Sequence, residues 1–334
     1  MKYLLSGGAG YLGLHIALEL IESGKEVLII DNFSNSNEDN LKLLSAKLKI
    51  KLNFKKGDIR DEVFIDSIFK KNKIDGVIHL AGLKSIPQSV LNPLSYFDNN
   101  VHGTINLLNS MNKYSVKTLV FSSSASVYGD PEYLPIDESH QTITKNPYAS
   151  TKLQIENMLE AIAGKNSDWK IISLRYFNPV GGHDNGLLGD STSGIPDNLM
   201  PYITAVAAKQ MPYLKIFGKD YKTNDGTGVR DYIHVMDLAE SHLSALNFLQ
   251  SKNSSIYDVF NIGTGYGYSV LEIVSAFEES TNIKIPIKFL DRRAGDVSAC
   301  YANVQKAEAH LNWIASKNLQ DMCLSAWHFK RNKA

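Results

Sequence analysis

Tyr148 and Lys152 stand four residues apart in Pro147-Tyr-Ala-Ser-Thr-Lys152, so a helix there projects both from one face. An ammonium beside a phenol favours the phenolate and lowers the tyrosine pKa. That makes Tyr148 a candidate proton acceptor. One Tyr-x-x-x-Lys is a weak pattern, because many helices contain one by chance. Here a serine cluster, Ser122-Ser-Ser124, precedes it, and a glycine-rich turn, Gly7-Gly-Ala-Gly10-Tyr-Leu-Gly13, opens the chain. The conjunction is far stronger than its parts.

The elements that must position these groups are legible around them. Residues 3–5 read as a short buried strand, the glycines as a turn, and residues 11–22 as a helix. Glycines leave no Cβ between backbone and ligand. A helix N-terminus beside them offers N–H groups and partial positive charge, which suits a pyrophosphate. Gly8-x-Gly10-x-x-Gly13 matches the dinucleotide fingerprint, and Gly7-x-x-Gly10-x-x-Gly13 its short-chain variant. A second strand over 27–31 ends in Asp31, whose carboxylate would accept from ribose hydroxyls and repel a 2′-phosphate, favouring NAD over NADP. The plainer role for Asp31 is a turn acid.

Further strands are expected at 52–54 with 57–59, at 76–81 and at 117–122, separated by helices over 33–49, 61–71 and 94–114. Strands alternating with helices predict an α/β protein with a Rossmann-type doubly wound parallel sheet. Residues 1–177 form the expected dinucleotide domain, and 178–334 a smaller α/β substrate-binding domain. Stretches 229–235 and 259–263 read as strands returning to the first sheet. His79 lies inside a strand and reads as a core histidine. Lys84 follows a strand C-terminus, where ligands of open sheets bind. The polar pieces 34–40 and 184–197 read as surface or lid loops.

Composition removes other classes. The 334 residues carry 35 Lys+Arg against 35 Asp+Glu, so no strong field favours nucleic acid or a membrane surface. No apolar run reaches a membrane span, and Leu4-Leu5 is too short for a signal core. Cys300 and Cys323 have neither metal-ligand spacing nor the number for a disulfide framework. These features predict a cytoplasmic protein without a metal.

The chain resembles the extended short-chain dehydrogenase/reductase family, and within it the UDP-glucose 4-epimerases. The glycine turn, Asp31-Asn32, Gly57-Asp58-Ile59-Arg60, Ala81-Gly-Leu-Lys84, Asp98-Asn-Asn-Val101, Ser122-Ser-Ser-Ala-Ser-Val-Tyr-Gly-Asp130 and the Tyr148–Lys152 pair carry the match. So do Leu174-Arg-Tyr-Phe-Asn-Pro-Val-Gly181, 194–202, 225–237 and 292–296. The resemblance implies NAD held by Gly7, Gly10, Tyr11, Leu12, Gly13, Asp31, Asn32, Asp58, Ile59, Ala81, Lys84, Asn99, Ser122, Tyr148, Lys152 and Tyr176. It implies Tyr148 as the base at the sugar 4-hydroxyl, Ser124 sharing that hydrogen bond, and Lys152 holding the nicotinamide ribose. It implies a UDP-hexose held by Ser124, Tyr148, Phe177, Asn178, Asn198, Leu199, Lys215, Phe217, Arg230, Arg293, Asp296 and Cys300. Hydride leaves sugar C4, the 4-keto sugar turns over, and hydride returns to the other face. The family forms homodimers through helices near 94–114 and 148–164.

Ser6 replaces the family's usual threonine, a mild change. Cys300 stands where glucose/galactose-restricted members carry tyrosine, and its small volume leaves room for an acetamido group, which predicts activity on UDP-GlcNAc and UDP-GalNAc as well, unless Tyr301 fills the space. A nucleotide-sugar 4,6-dehydratase shares fold, NAD and the Tyr–Lys pair, but needs an Asp-Glu pair where Ala125 and Ser126 stand. A sugar-nucleotide decarboxylase lacks support in the same loop. A catalytically silent NAD-sensing protein is the remaining reading of another class.

Overall fold

The computed structural model describes every residue except 165–166, 192–195, 197, 294 and 334. Parts of the 194–202 and 292–296 motifs and of the 184–197 loop therefore lie outside the described residues. Seven parallel strands form the main sheet. They are β1 (Lys2–Ser6), β2 (Glu26–Asp31), β3 (Asn53–Lys56), β4 (Gly76–His79), β5 (Thr118–Ser124), β6 (Lys170–Tyr176) and the strand Ile256–Ile262. Their spatial order is Ile256–Ile262, β6, β5, β4, β1, β2, β3. The order reverses between β1 and β4, and the crevice at such a point takes the ligand.

The central strands are apolar throughout, as a sheet covered on both faces requires. In β1, Tyr3, Leu4, Leu5 and Ser6 are all buried. One face packs on helix α1 (Tyr11–Glu22) and the helix Val235–Ser251 through Leu14, Leu18, Leu238 and Leu246. The other packs on Glu62–Lys71 and Gly103–Lys113 through Ile65, Phe69, Leu107 and Met111. A separate cluster around Ile203, Leu214, Ile273, Phe277 and Met322 joins the helices Leu199–Ala207, Val270–Thr281 and Leu319–Lys333.

The helix Pro147–Ile162 starts cleanly. Asn146 caps it by accepting from the Ala149 amide at 2.9 Å, and Pro147 takes the first turn. Its buried face comprises Ala149, Thr151, Lys152, Ile155, Glu156 and Leu159. Two ionisable groups on that face must find partners, because unpaired buried charge is costly.

Three local expectations are corrected. Residues 57–59 are not strand: β3 stops at Lys56, Gly57 folds over the Phe64 ring, and Asp58 binds the Arg60 amide and guanidinium. Residues 229–235 do not return to the main sheet. The buried Asp231 carboxylate accepts from the Thr264, Gly265 and Ala302 amides, and splits the stretch into Val229–Arg230 and Tyr232–His234, each in a small sheet of its own. The helix over 94–114 is broken by a π-helical turn, Phe97–His102, a feature frequent at functional sites. That turn points Asn100 inward, where it bonds both backbone groups of Leu83 and the Thr151 hydroxyl.

Candidate active site

A cleft of about 710 Å³ opens along the C-terminal ends of the strands. Its dinucleotide end is built by the glycine turn. Gly7 has φ +74°, and a Cβ there would lie 2.7 Å from the Ala81 amide nitrogen. A Cβ on Gly13 would lie 2.5 Å from the Gly8 Cα, so only glycine lets helix and turn approach this closely. Gly10 differs, since its Cβ would meet nothing nearer than the Gly7 carbonyl at 3.5 Å. The space it leaves faces the cleft, as a cradle for a bulky anion requires.

Asp31 also lines the cleft. Its carboxylate accepts from the Ala9 amide at 3.0 Å, and from the Phe33 amide and Ser36 hydroxyl at 2.9 Å each. An ionised carboxylate has about four acceptor sites, so one remains for a ribose hydroxyl. Both sequence-based roles, turn acid and ribose acceptor, are thus compatible in one side chain. Tyr11, Leu12, Asn32, Ile59, Ala81, Lys84, Asn99, Ser122, Tyr176, Phe177, Asn178, Asn198 and Leu199 line the same cleft. Asp58 does not line it. Its carboxylate is occupied by Asn32 and Arg60, which hold it well below the usual carboxylate range. Asp58 is linked to the cleft lining by the hydrogen bond it accepts from Asn32.

Ser124, Tyr148 and Lys152 meet at the other end of the cleft. The Ser124 Oγ accepts from the Ser126 amide at 3.2 Å and the Ser126 hydroxyl at 2.9 Å. A hydroxyl has two lone pairs and one proton. With both lone pairs engaged, the Ser124 proton is left for the Tyr148 phenol, whose pKa Ser124 lowers. Ser126 was missed by sequence reasoning, which valued that position only for lacking a carboxylate. Its spacing two residues after Ser124, at a strand end, was the available signal.

The expected effect of Lys152 on Tyr148 is corrected. Burial raises the Tyr148 pKa above its ordinary value, and the Ser124 hydrogen bond opposes that shift only in part. The Lys152 ammonium lies 6.0 Å from the Tyr148 ring centre, donates to the Ser122 carbonyl at 2.6 Å and rests 4.8 Å from the centre of the Phe121 ring. Burial lowers its own pKa to about 8, with Glu156 opposing. Burial is thus the largest influence on the phenol, and the ammonium four residues on is directed to the Ser122 carbonyl. His79 is the core histidine the sequence predicts, with Ser6 and Thr104 hydroxyls on its two ring nitrogens at 2.6 and 2.8 Å.

Lys215, Phe217, Arg230, Arg293, Asp296 and Cys300 are not among the residues lining this cleft; Lys215, Phe217, Arg230 and Cys300 belong to small sheets beyond it, and Arg293 and Asp296 stand between the strands Ile287–Leu290 and Ala299–Cys300. The Arg293 guanidinium sits 3.9 Å from the Phe217 ring centre, and Arg230 reaches Asp296 at 3.4 Å. Cys300 pairs in register with Arg230. It also packs on the cluster containing Ala125 and Phe177, which ties it to the catalytic strand. Burial pushes its thiol up to about 11. Among the described residues no group of His, Cys, Asp or Glu could hold a metal, and no helix is long and apolar enough to cross a membrane.

Known proteins share this fold. A family model described as GDP-mannose 4,6 dehydratase matches residues 4–325. A UDP-glucose 4-epimerase of Bacillus subtilis (strain 168) is 46% identical over 99% of this chain and 97% of its own length. The crystal structure of UDP-glucose-4-epimerase from Stenotrophomonas maltophila, with bound NAD and formylated UDP-arabinopyranose, superposes with a TM-score of 0.97 at 42% identity, covering 100% of this chain and 98% of that one. That from Bifidobacterium longum, in complex with NAD+ and UDP, gives 0.95 at 43% identity, covering 99% and 98%. With nearly half of all residues shared across the full length of both chains, the protein belongs to the UDP-glucose 4-epimerase family.

Proposed function

We propose that this chain interconverts UDP-glucose and UDP-galactose by inverting C4, using a resident NAD. The carrying observation is the convergence of Ser124, Tyr148 and Lys152 on one cleft whose far end is a glycine cradle closed by Asp31. The glycine cradle, Asp31 and Lys152 would hold NAD, which would supply a hydride acceptor and donor for sugar C4 and a positively charged ring. To receive the proton of the 4-hydroxyl and give it back, Tyr148 must be the phenolate once the cofactor's positive ring is beside it. Ser124, its lone pairs filled by Ser126, donates to the oxygen on which negative charge develops. Lys152, 4% exposed, offers its remaining protons to the cofactor ribose. Arg230 and Arg293 suit the diphosphate by charge-assisted contacts, and Phe217 a flat base. Most grip on the nucleotide leaves the hexose free to turn.

A dehydratase reading has the family model's description behind it, but Ala125 and Ser126 supply neither the acid nor the base for eliminating water. The test is to mix purified protein with UDP-galactose without added NAD and resolve the products. UDP-glucose supports the proposal. A 4-keto-6-deoxy product favours the dehydratase, and no product a silent NAD-binding protein.

The substrate range extends to UDP-GlcNAc and UDP-GalNAc on the same reading. Cys300 is small, and the Tyr301 ring beside it in the chain packs against Gly267. A homodimer is supported by Val90, Leu91 and Leu94, which stand 60%, 71% and 82% exposed on short helices packed against Pro147–Ile162. The protein works in the cytoplasm, where reducing conditions keep Cys300 and Cys323 as free thiols.

A further inference from the structure

Among the buried polar groups that the steps above leave unused is a cluster beside the cleft. Glu156 and Arg175 form an ion pair with side chains 3% and 7% exposed. Arg175 donates through Nη2 to Oε2 at 2.6 Å and through Nε to Oε1 at 3.0 Å. The third donor is the Ser123 hydroxyl, also to Oε1. Arg175 uses its remaining amino group on the Tyr128 hydroxyl at 2.9 Å.

The placement of these groups is what carries the inference. Ser123 lies between Ser122, whose carbonyl accepts from Lys152, and Ser124, which meets Tyr148. Glu156 is one helical turn after Lys152, on the helix that also carries Tyr148. Arg175 is the β6 partner of Ser123 and precedes Tyr176, which lines the cleft. Two ties therefore hold strand β5 to the catalytic helix: Lys152 to the Ser122 carbonyl, and Ser123 to Glu156. A buried ion pair adds little net stability over an apolar pair of equal shape. Its directed hydrogen bonds do fix the height of strand against helix.

We propose that Glu156 is a positioning residue for the reaction, holding the 122–124 segment in register with Tyr148 and Lys152 through Ser123. This rests on the epimerase reading. Ser123→Ala removes that one tie and leaves the Glu156–Arg175 pair intact. The expected result is a fall of about tenfold in kcat for UDP-galactose, with KM within about twofold, because small misplacements of reacting groups act on the transition state. The thermal midpoint stays within about 3 °C, as the loss of one hydrogen bond dictates. A second variant, Glu156→Leu with Arg175→Met, keeps the volume and removes both charges. It should show the same fall, and adding Ser123→Ala to it should lower kcat no further. Wild-type kcat in Ser123→Ala, a rise in KM alone, or a further independent fall in the triple variant would each overturn the proposal. A wild-type protein that turns over no UDP-galactose refutes the epimerase reading instead.

Discussion

Replacing Ser126 by alanine tests how the Ser124 proton is aimed. In the structure Ser124 accepts from the Ser126 hydroxyl at 2.9 Å and from its amide at 3.2 Å. Ser126→Ala keeps the amide and deletes the hydroxyl, freeing one lone pair on Ser124. Ser124 then accepts from the neutral Tyr148 phenol as readily as it donates to it. The preference lost is that of one neutral hydrogen bond, about 0.5–1.5 kcal/mol. At roughly 1.4 kcal/mol per decade, kcat falls about 2- to 12-fold. KM for UDP-galactose should stay near wild type, because the orientation matters where charge develops. Ser124→Ala should cost considerably more, and the double variant should match it. Steady-state rates of UDP-glucose formation measure all three. An unchanged kcat in Ser126→Ala, or effects that simply add in the double variant, would refute the assignment.

Gly13→Ala places a methyl 2.5 Å from the Gly8 backbone; the purified variant should carry little or no NAD, read from the nucleotide released on denaturation. Cys300→Tyr should cut turnover of UDP-GalNAc by at least about tenfold while sparing UDP-galactose, because a rigid ring excludes the acetamido group; parallel assays with both sugars decide it. Burial lowers His15, His234 and His242 to about 4, and His79 to about 3, from 6.5. The unfolded chain therefore binds more protons below pH 6.5, and stability present above that pH is lost as it falls, by about 1.4 kcal/mol per pH unit for each. Asp231, raised to about 6, returns a similar amount for one group between pH 6 and its ordinary value. The net loss, about 4 kcal/mol per unit, reaches about 8 kcal/mol by pH 4.5, against a typical stability of 5–15 kcal/mol. Thermal midpoints that stay flat from pH 7 to 4.5 would contradict this.

What the sequence showed of this fold was what local backbone chemistry demands. Gly7 and Gly13 announce a close turn, Asp31 a strand end, and the four-residue step from Tyr148 to Lys152 a shared helical face. Longer-range choices were hidden. Nothing near Lys152 in sequence says that its ammonium will turn to the Ser122 carbonyl, thirty residues upstream. Burial, not that ammonium, is the largest influence on the Tyr148 pKa. The stretch 229–235 has strand-like composition, yet Asp231 must satisfy amides from 264–265 and 302, and this divides it. The π-helical turn that points Asn100 inward left no mark in apolar periodicity. Glu156 drew no reading from the sequence, because its partners Ser123 and Arg175 come from two strands distant in the chain.

The turnover of Tyr148→Phe on UDP-galactose is the most direct measurement of the central claim. The phenyl ring keeps the fold and the packing and removes only the oxygen that carries the proton. The expected result is a protein that still retains NAD and loses at least about a hundredfold in kcat, the usual contribution of a positioned acid–base group. A variant that keeps a tenth or more of the wild-type rate would contradict the account.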